Sequence, residues 1–537
     1  MRGRGCVAPQ PSQRRDGWAA RVMVAGAVLG LVWAAARGQE VAPVTLRVDV
    51  GAGHHTINPE IYGIVSYGLD PAFAAEIKVP NVRWGGDGTT QYNWKVDSSN
   101  AGFDWYFMSG GHEAHPVAGA GVDTMVAKYG AVGARGLVTI PIIPLVNKSA
   151  TMGCSFPVAV YGKQQSVNPY EHPGGGNCGN SLTVEGKQLV DKDVYANHID
   201  NSVALQKAWV EHLVATFGTA AKGGVPFYQL DNEPGGWGNT HRDVMPGGAD
   251  YGTIVRLGEE YAAMVKVVDP TAMVMGPSDF THAGWIGDVK KQDGLFAGQY
   301  YLRAMAAFGR GHGRVLDYFD EHYYPEFKDG ASQMASTRTL WDATYDSGNW
   351  VEKSVFHGPM RLIPRFKEWI AAYYPGTKLA FSEYSFASGK KRIEDALAEA
   401  DVLGIFGSEG VDLANMWDAP KPDEPIAFAF RVFRNFDGKG GMFGENGVAA
   451  VSSDRARLAV YASTRRSDGA LTIVVLNKTA GEIVAGVELK HVKAGKVRVF
   501  EYSVEEVQRI VDRGTVDVGK GYGFPGMSAT VMVVGRR

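Results

Sequence analysis

Two short stretches carry most of the chemistry that this sequence offers. The first is Asp231-Asn232-Glu233-Pro234, which follows the apolar run Phe227-Tyr-Gln-Leu230, and the second is Ser382-Glu383-Tyr384, which follows Lys378-Leu-Ala-Phe381. Each places a carboxylic acid where a strand-like run ends. Two opposed carboxyls are what cleavage of a glycosidic bond requires: one protonates the departing oxygen, and the other attacks or supports the sugar carbon. Glu233 reads as the acid, because Asn232 can bond a sugar hydroxyl and aromatic neighbours can raise a carboxyl pKa by desolvation. Glu383 reads as the nucleophile, kept ionised by Arg83 and by a tyrosine such as Tyr324. Trp84, Trp237, Tyr324, Trp350 and Trp417 are candidates for stacking on sugar rings, and Asn232, Arg83 and His322 for polar contacts. Plainer explanations exist for each. Pro234 after Glu233 suits the first turn of a helix, Glu383 could sit in a structural ion pair, His322 could be a core histidine, and Trp84 and Trp417 could simply pack.

The elements that would have to position these residues repeat in a regular way. Eight short apolar runs begin at Ile61, Asn81, Leu137, Phe227, Ala272, Asp317, Lys378 and Asp412. Between them lie helical patterns such as Ser202 to Phe217, Tyr251 to Val268 and Arg361 to Tyr374, with apolar residues at three-to-four spacing. Eight strands alternating with helices predict a (β/α)8 TIM barrel, in which side chains at the C-terminal strand ends line the active site. Arg83, Trp84, Asn232, Glu233, His322, Tyr324, Glu383 and Trp417 all fall at such ends. After Ala427 the pattern changes to alternating runs without helices, at Leu471 to Lys478, Lys496 to Ser503 and Ser528 to Gly535. These predict a small antiparallel β domain that takes the strand from Val44 to Val50 as a partner. The expected boundaries are 1–38 for a signal peptide, 39–55 for the first strand of the β domain, 56–426 for the barrel and 427–537 for the β domain.

Length and composition fit this scheme. The chain has 537 residues, enough for a large barrel and a satellite domain, and a net charge of −3, which gives no pull toward nucleic acid. Its 69 glycines and 12 tryptophans suit many loops and flat apolar ligands. At the N-terminus Arg14, Arg15 and Arg21 precede an apolar run from Val22 to Ala36 with small residues behind it. This predicts export, extracellular or periplasmic, with an uncleaved membrane anchor as the alternative. Cys6 belongs to that segment. Cys154 and Cys178 share one Gly/Pro/Asn-rich stretch, which favours a disulfide over two free thiols, and their spacing is not that of metal ligands.

At these same residues the chain resembles glycoside hydrolase family 44, the endo-β-1,4-glucanases and xyloglucanases. The stretches that carry the resemblance are VRWGGDGTTQYNW from Val82, SSNAGFDWYF from Ser98, CSFPVAVYGKQQSVNPY from Cys154, LDNEPGGWGNTHRDVMP from Leu230, DYFDEHYYPE from Asp317, RLIPRFKEWI from Arg361 and KLAFSEYSF from Lys378. The resemblance implies a (β/α)8 barrel with a β-sandwich built from the N-terminal strand and the C-terminal segment. It further implies a retaining endo-acting hydrolase of cellulose derivatives, xyloglucan and mixed-linkage glucans, with Glu233 as acid/base and Glu383 as nucleophile. No cofactor is implied and no metal ligands carry over, though a structural calcium is compatible with the family, and a monomer is expected. Phe381-Ser382 before the nucleophile and Gly235-Gly236 after the acid depart from the family's commonest forms. Two other readings stand beside this one: an exo-acting barrel glycosidase such as an arabinofuranosidase, and a non-catalytic glycan-binding protein.

Overall fold

The computed structural model describes residues 43–535 apart from 112–116, 170–176, 493–495 and 519–520. The expected signal peptide over 1–38 lies outside the described residues. No described helix is long and apolar enough to cross a membrane.

The eight expected strands form a closed parallel barrel. They are Gly63–Val65 (β1), Asn81–Trp84 (β2), Arg135–Ile140 (β3), Phe227–Leu230 (β4), Met273–Asp279 (β5), Tyr318–Glu321 (β6), Lys378–Tyr384 (β7) and Leu413–Met416 (β8). The strands are almost wholly buried because helices cover their outer faces and side chains fill the lumen. Side chains alternate between lumen and helices with a period of two, and the lumen changes character along the axis. At its base Leu137, Phe227, Met275, Tyr318, Ala380 and Leu413 pack into an apolar plug. Two residues further along the same strands, the inward positions are Thr139, Gln229, Asp320, Ser382 and Asn415, all buried and polar. An apolar floor under a polar layer is the setting on which the strand-end residues stand.

Two more sheets form the β-sandwich. Thr45–Asp49 pairs antiparallel with Ala449–Ser452 and parallel with Ile483–Lys490, and Tyr522–Phe524 completes this four-stranded sheet. The facing seven-stranded sheet is built around Leu458–Thr464, Leu471–Asn477, Ser528–Val534 and Val497–Ser503. Alternation decides the packing: Leu46, Val48, Val460, Ile473, Val487, Val499 and Met532 point between the sheets and form their common core. The seven-stranded sheet turns its other face to the barrel. One helix, Pro425–Arg434, continues across the expected boundary at 426/427, because Pro425 opens it and its apolar face, including Phe428, Phe430 and Phe433, belongs to the main core.

Helix Ile393–Glu409 lies between barrel and sheet, and from Ile393 to Gly407 every residue except Glu394 is buried. A helix that is buried all round needs apolar or paired residues on every face. Gly404 permits the approach, since a Cβ there would lie 2.4 Å from the Tyr461 ring. Asp401, on the same helix, accepts hydrogen bonds from Thr337 Oγ1 (2.6 Å), Tyr461 Oη (2.6 Å) and Lys478 Nζ (2.9 Å). Burial pushes the Asp401 carboxyl up, but the Lys478 charge and the two hydroxyls hold it below the ordinary carboxylate value. Breaking one half of a buried ion pair strands the other charge. Lys478→Met is therefore expected to cost about 3–5 kcal/mol, measured as a clear fall in the midpoint of thermal or denaturant unfolding. An unchanged midpoint would show that this pair does not fasten the two parts together.

Candidate active site

The chain leaves β4 by a left-handed turn, with φ 63° at Asp231 and 47° at Glu233. Asp231 fixes that turn. Its Oδ2 accepts from the backbone N–H groups of Ile142 (2.6 Å) and Ile143 (3.0 Å), and its Oδ1 from that of Asn232 (2.8 Å). Burial outweighs these bonds and pushes the Asp231 carboxyl up to about 6. The Glu233 N–H donates to Ser278 O at 2.9 Å, and Gly235 N–H to Asp279 Oδ1 at 3.1 Å. A Cβ on Gly235 would stand 2.6 Å from Asp279 Oδ2, which accounts for the glycine after the Glu-Pro pair.

Glu383 reaches the mouth through an irregularity in β7. Against β8, Phe381 pairs with Ala414 and Tyr384 with Met416, so β7 carries one extra residue over this interval. Strict alternation would send Ser382 and Glu383 to opposite faces; the extra residue lets both serve the lumen. Arg83 Nη1 donates to Glu383 Oε2 at 2.5 Å and Tyr324 Oη to Oε1 at 2.6 Å. His322 Nδ1 lies 2.9 Å from Glu233 Oε1 and 3.8 Å from Glu383 Oε2. Burial acts to raise the Glu383 pKa, but the charges of His322 and Arg83 and the Tyr324 hydroxyl outweigh it and hold the carboxyl ionised below its ordinary range. Arg83 is fully buried and also donates to Gln229 Oε1 (2.8 Å) and Asn232 Oδ1 (2.7 Å). The Asn232 amide in turn donates to Asp87 Oδ1 at 2.8 Å. Burial, followed by the charges of Glu233, Asp104 and Glu383, raises Asp87 well above the usual carboxylate value.

One ligand atom each from Glu233, His322 and Glu383 lie within 4.8 Å of one another, the one such group of three among the described residues. The group suits a metal poorly. The Arg83 guanidinium occupies Glu383 Oε2 and sets a permanent positive charge where a cation would bind. The same proximity brings two carboxyls of unequal setting onto one small volume: Glu383 clamped by a cation and a hydroxyl, Glu233 one-fifth exposed toward the cleft.

The remaining predicted residues divide. Trp84 and Trp417 line a cavity of about 410 Å³ with Tyr67, Gly85, Gly86, Asp87 and Asp104. Trp84 is only 9% exposed and meets Tyr92 and Trp209 edge-on, so it forms a wall and offers no open face. Trp417 is partly exposed, with Tyr67 edge-on at 6.1 Å and the Arg83 guanidinium 5.7 Å from its ring. Trp237 is a correction: it is fully buried in the main core, pointing inward from the short helix Trp237–Thr240, and cannot stack on a ligand. Trp350 is 48% exposed and touches His282, away from the cavity that Trp84 and Trp417 line. Tyr67, 48% exposed just beyond β1, escapes sequence reasoning, as do Gln229 and Asp320. Gln229 and Asp320 are inward-facing residues within β4 and β6, and the alternation of those strands is the signal that finds them.

Cys154 and Cys178 form a disulfide, Cα–Cα 5.6 Å, across the long segment after β3. Arg242 joins that segment to the turn after β4, donating to Ser181 Oγ (2.6 Å) and Asn180 O (3.1 Å) while its guanidinium covers the rings of Phe103 and Phe107.

Known proteins share this fold. The model of glycoside hydrolase family 44 matches residues 98–327, a span that holds Glu233 and His322. The crystal structure of CelM2, a bifunctional glucanase-xylanase from a metagenome library, is 33% identical with a TM-score of 0.87, covering 92% of this chain and 99% of that one. The family 44 xyloglucanase of Paenibacillus polymyxa, solved with xyloglucan, is 27% identical with a TM-score of 0.77, over 92% of this chain and 100% of that one. Endoglucanase A of Paenibacillus lautus is 29% identical over 469 residues, 81% of this chain. The chain spans 34% and 64% of the length of the two curated relatives it matches. With the family match over residues 98–327 and agreement with these structures over 92% of its length, the chain belongs to glycoside hydrolase family 44.

Proposed function

We propose that this protein is a retaining, endo-acting glycoside hydrolase that cleaves β-1,4-glucan backbones by double displacement. The observation that carries the reading is the approach of Glu233 and Glu383, whose oxygens come within 4.8 Å. A gap of about 5–5.5 Å goes with a nucleophile and an acid/base, whereas inversion needs a wider one that admits water. Glu383 attacks the anomeric carbon, the glycosidic C–O bond breaks, and the leaving oxygen takes the proton of Glu233. In the second step Glu233 takes a proton from water, the water oxygen bonds to the anomeric carbon, and the ester bond to Glu383 breaks. Every acid, base and charge in this scheme comes from side chains of one chain, so it calls for neither a cofactor nor a second subunit.

The substrate class rests on the relatives, described as a glucanase-xylanase, a xyloglucanase and an endoglucanase. A cavity beside the carboxyls, walled by Tyr67, Trp84 and Trp417, supports a sugar chain running past the acids. Cellulose derivatives, xyloglucan and mixed-linkage glucan are the substrates of choice. The apolar N-terminal run in the sequence and the disulfide both support action outside the cytoplasm.

Reducing-sugar release and viscosity on a panel of soluble β-glucans test the reading, with viscosity expected to fall early as internal bonds break. Glu383→Gln is expected to lose at least about three orders of magnitude in kcat; more than about a tenth of the activity remaining would contradict the assignment. Arg83→Met removes a fixed cation that lowers the Glu383 pKa. The nucleophile works ionised, so raising its pKa moves the acidic limb of the kcat/KM–pH profile to higher pH, by about one unit or more. A limb that stays in place would mean that Arg83 does not set the charge of Glu383.

A further inference from the structure

Ser382 and Asp320 have no part in the reaction as written, yet they stand in the polar layer directly below it. Asp320 lies two residues before His322, and so on the same side of β6. It is fully buried, and it accepts from Ser382 N–H on Oδ1 (2.7 Å) and from the hydroxyls of Ser382 and Ser278 on Oδ2 (2.6 Å each). A serine hydroxyl has one hydrogen, and Ser382 gives it to Asp320. Its oxygen, 3.3 Å from His322 Nε2, is left to accept. On the other side of the ring Nδ1 meets the ionised Glu383 Oε2 and Glu233 Oε1, and Oε1 accepts even when Glu233 is the acid, because the proton destined for the leaving group sits on Oε2, the oxygen not turned to the ring. A neutral imidazole has one N–H and would set a bare nitrogen against an acceptor at one of these two positions, inside the protein where such a mismatch is costly.

We infer that Ser382 and Asp320 are positioning residues that hold His322 as a doubly protonated imidazolium, with its Nδ1–H on Glu233. The inference rests on the proposed hydrolysis for its purpose, since Glu233 changes charge in each step. Oε1 accepts from the imidazolium, so Oε2 is the oxygen that carries the proton for the leaving group. When that proton departs, the new carboxylate faces a cation 2.9 Å away; when water is deprotonated, Glu233 becomes neutral again. His322 keeps both hydrogens throughout. The charged groups facing the ring come from four strands. Glu383 on β7 and Glu233 after β4 favour the cation, Asp320 on β6 acts through Ser382, and Arg83 on β2 opposes. Burial also opposes, but the two glutamates outweigh it and raise the imidazole above its ordinary value.

Asp320→Asn tests this with little change of shape. Its Oδ1 still accepts from Ser382 N–H, but an amide NH2 replaces Oδ2 and donates to Ser382 Oγ, turning the serine hydrogen toward His322 Nε2 and selecting the neutral ring. Ser382→Ala removes the acceptor, and Ser382→Thr restores it. In ¹⁵N NMR of the histidine-labelled whole protein near neutral pH, the His322 signal is assigned by its loss in His322→Gln. Wild type and Ser382→Thr are expected to show two protonated ring nitrogens, and Asp320→Asn and Ser382→Ala one. Loss of the cation 3.8 Å from Glu383 raises the nucleophile's pKa. The acidic limb of kcat/KM should therefore move up by about one pH unit in the latter two variants and stay in place in Ser382→Thr. A singly protonated His322 in the wild type overturns the inference, whatever the variants do. So does a limb that stays in place while kcat falls, which is what a merely structural role gives. The NMR measurement needs no substrate, so absence of β-glucan hydrolysis in the wild type would defeat the proposed function and leave this inference standing.

Discussion

Arg83 carries a full positive charge in a position with no solvent contact, and three side chains from two strand ends are arranged to satisfy it. Its guanidinium reaches Gln229 on β4, Asn232 just beyond β4 and Glu383 on β7, each at 2.5–2.8 Å. A buried cation of this kind is tolerable only with a counter-charge and with its remaining donors paired. Glu383 supplies the counter-charge, and so it is ionised as a condition of folding. The two glycines that follow Arg83 and Trp84 answer to the same constraint. A Cβ on Gly85 would lie 2.4 Å from the guanidinium, and one on Gly86, at φ 90°, 2.5 Å from the Trp417 ring. The run Arg83-Trp84-Gly85-Gly86 is thus one device, which brings a cation, an aromatic wall and a close-packed turn to the same place.

The acids behind the site have different work. Asp231 and Asp279 are each pushed up to about 6 by burial, and each collects backbone N–H groups from the turns around Glu233. Tyr251 adds a short hydrogen bond to Asp279. These carboxyls hold a left-handed turn against its own strain, and the direction of Glu233 follows from them. Of the two acids and the amide that open that turn, Asp231 builds it, Asn232 links Arg83 to Asp87, and Glu233 faces the cleft.

Much of this is legible in the residues, for physical reasons that also mark where legibility ends. Strands that are covered on both faces must be apolar, so all eight barrel strands stand out, and polar residues at their ends have to be explained. That reasoning reaches Glu233, Glu383, Arg83 and Tyr324. It stops short of Asp320 and Ser382, whose inward direction depends on alternation and, for Ser382 beside Glu383, on the extra residue in β7. It also misjudges Trp237, because an aromatic residue one turn beyond a strand end can face either way and the turn held by Asp231 sends this one inward. Tyr67 follows a strand of three residues, too short for its end to be located from pattern. The change of composition near 427 is real, but it falls within the helix from Pro425, whose apolar stripe joins the main core, with Phe428 stacked on Tyr502 of the seven-stranded sheet.

In the proposed reaction Glu383 forms a covalent bond with the sugar while Glu233 manages the proton. An activated 2-deoxy-2-fluoro β-oligoglucoside slows the second step and lets the ester accumulate, so intact-mass and peptide mass spectrometry can locate it. One glycosyl group per chain, on the peptide carrying Glu383, is the result predicted. Hydrolysis of the natural glucan without any adduct from the inhibitor, or an adduct on another carboxylate such as Asp87, would contradict it.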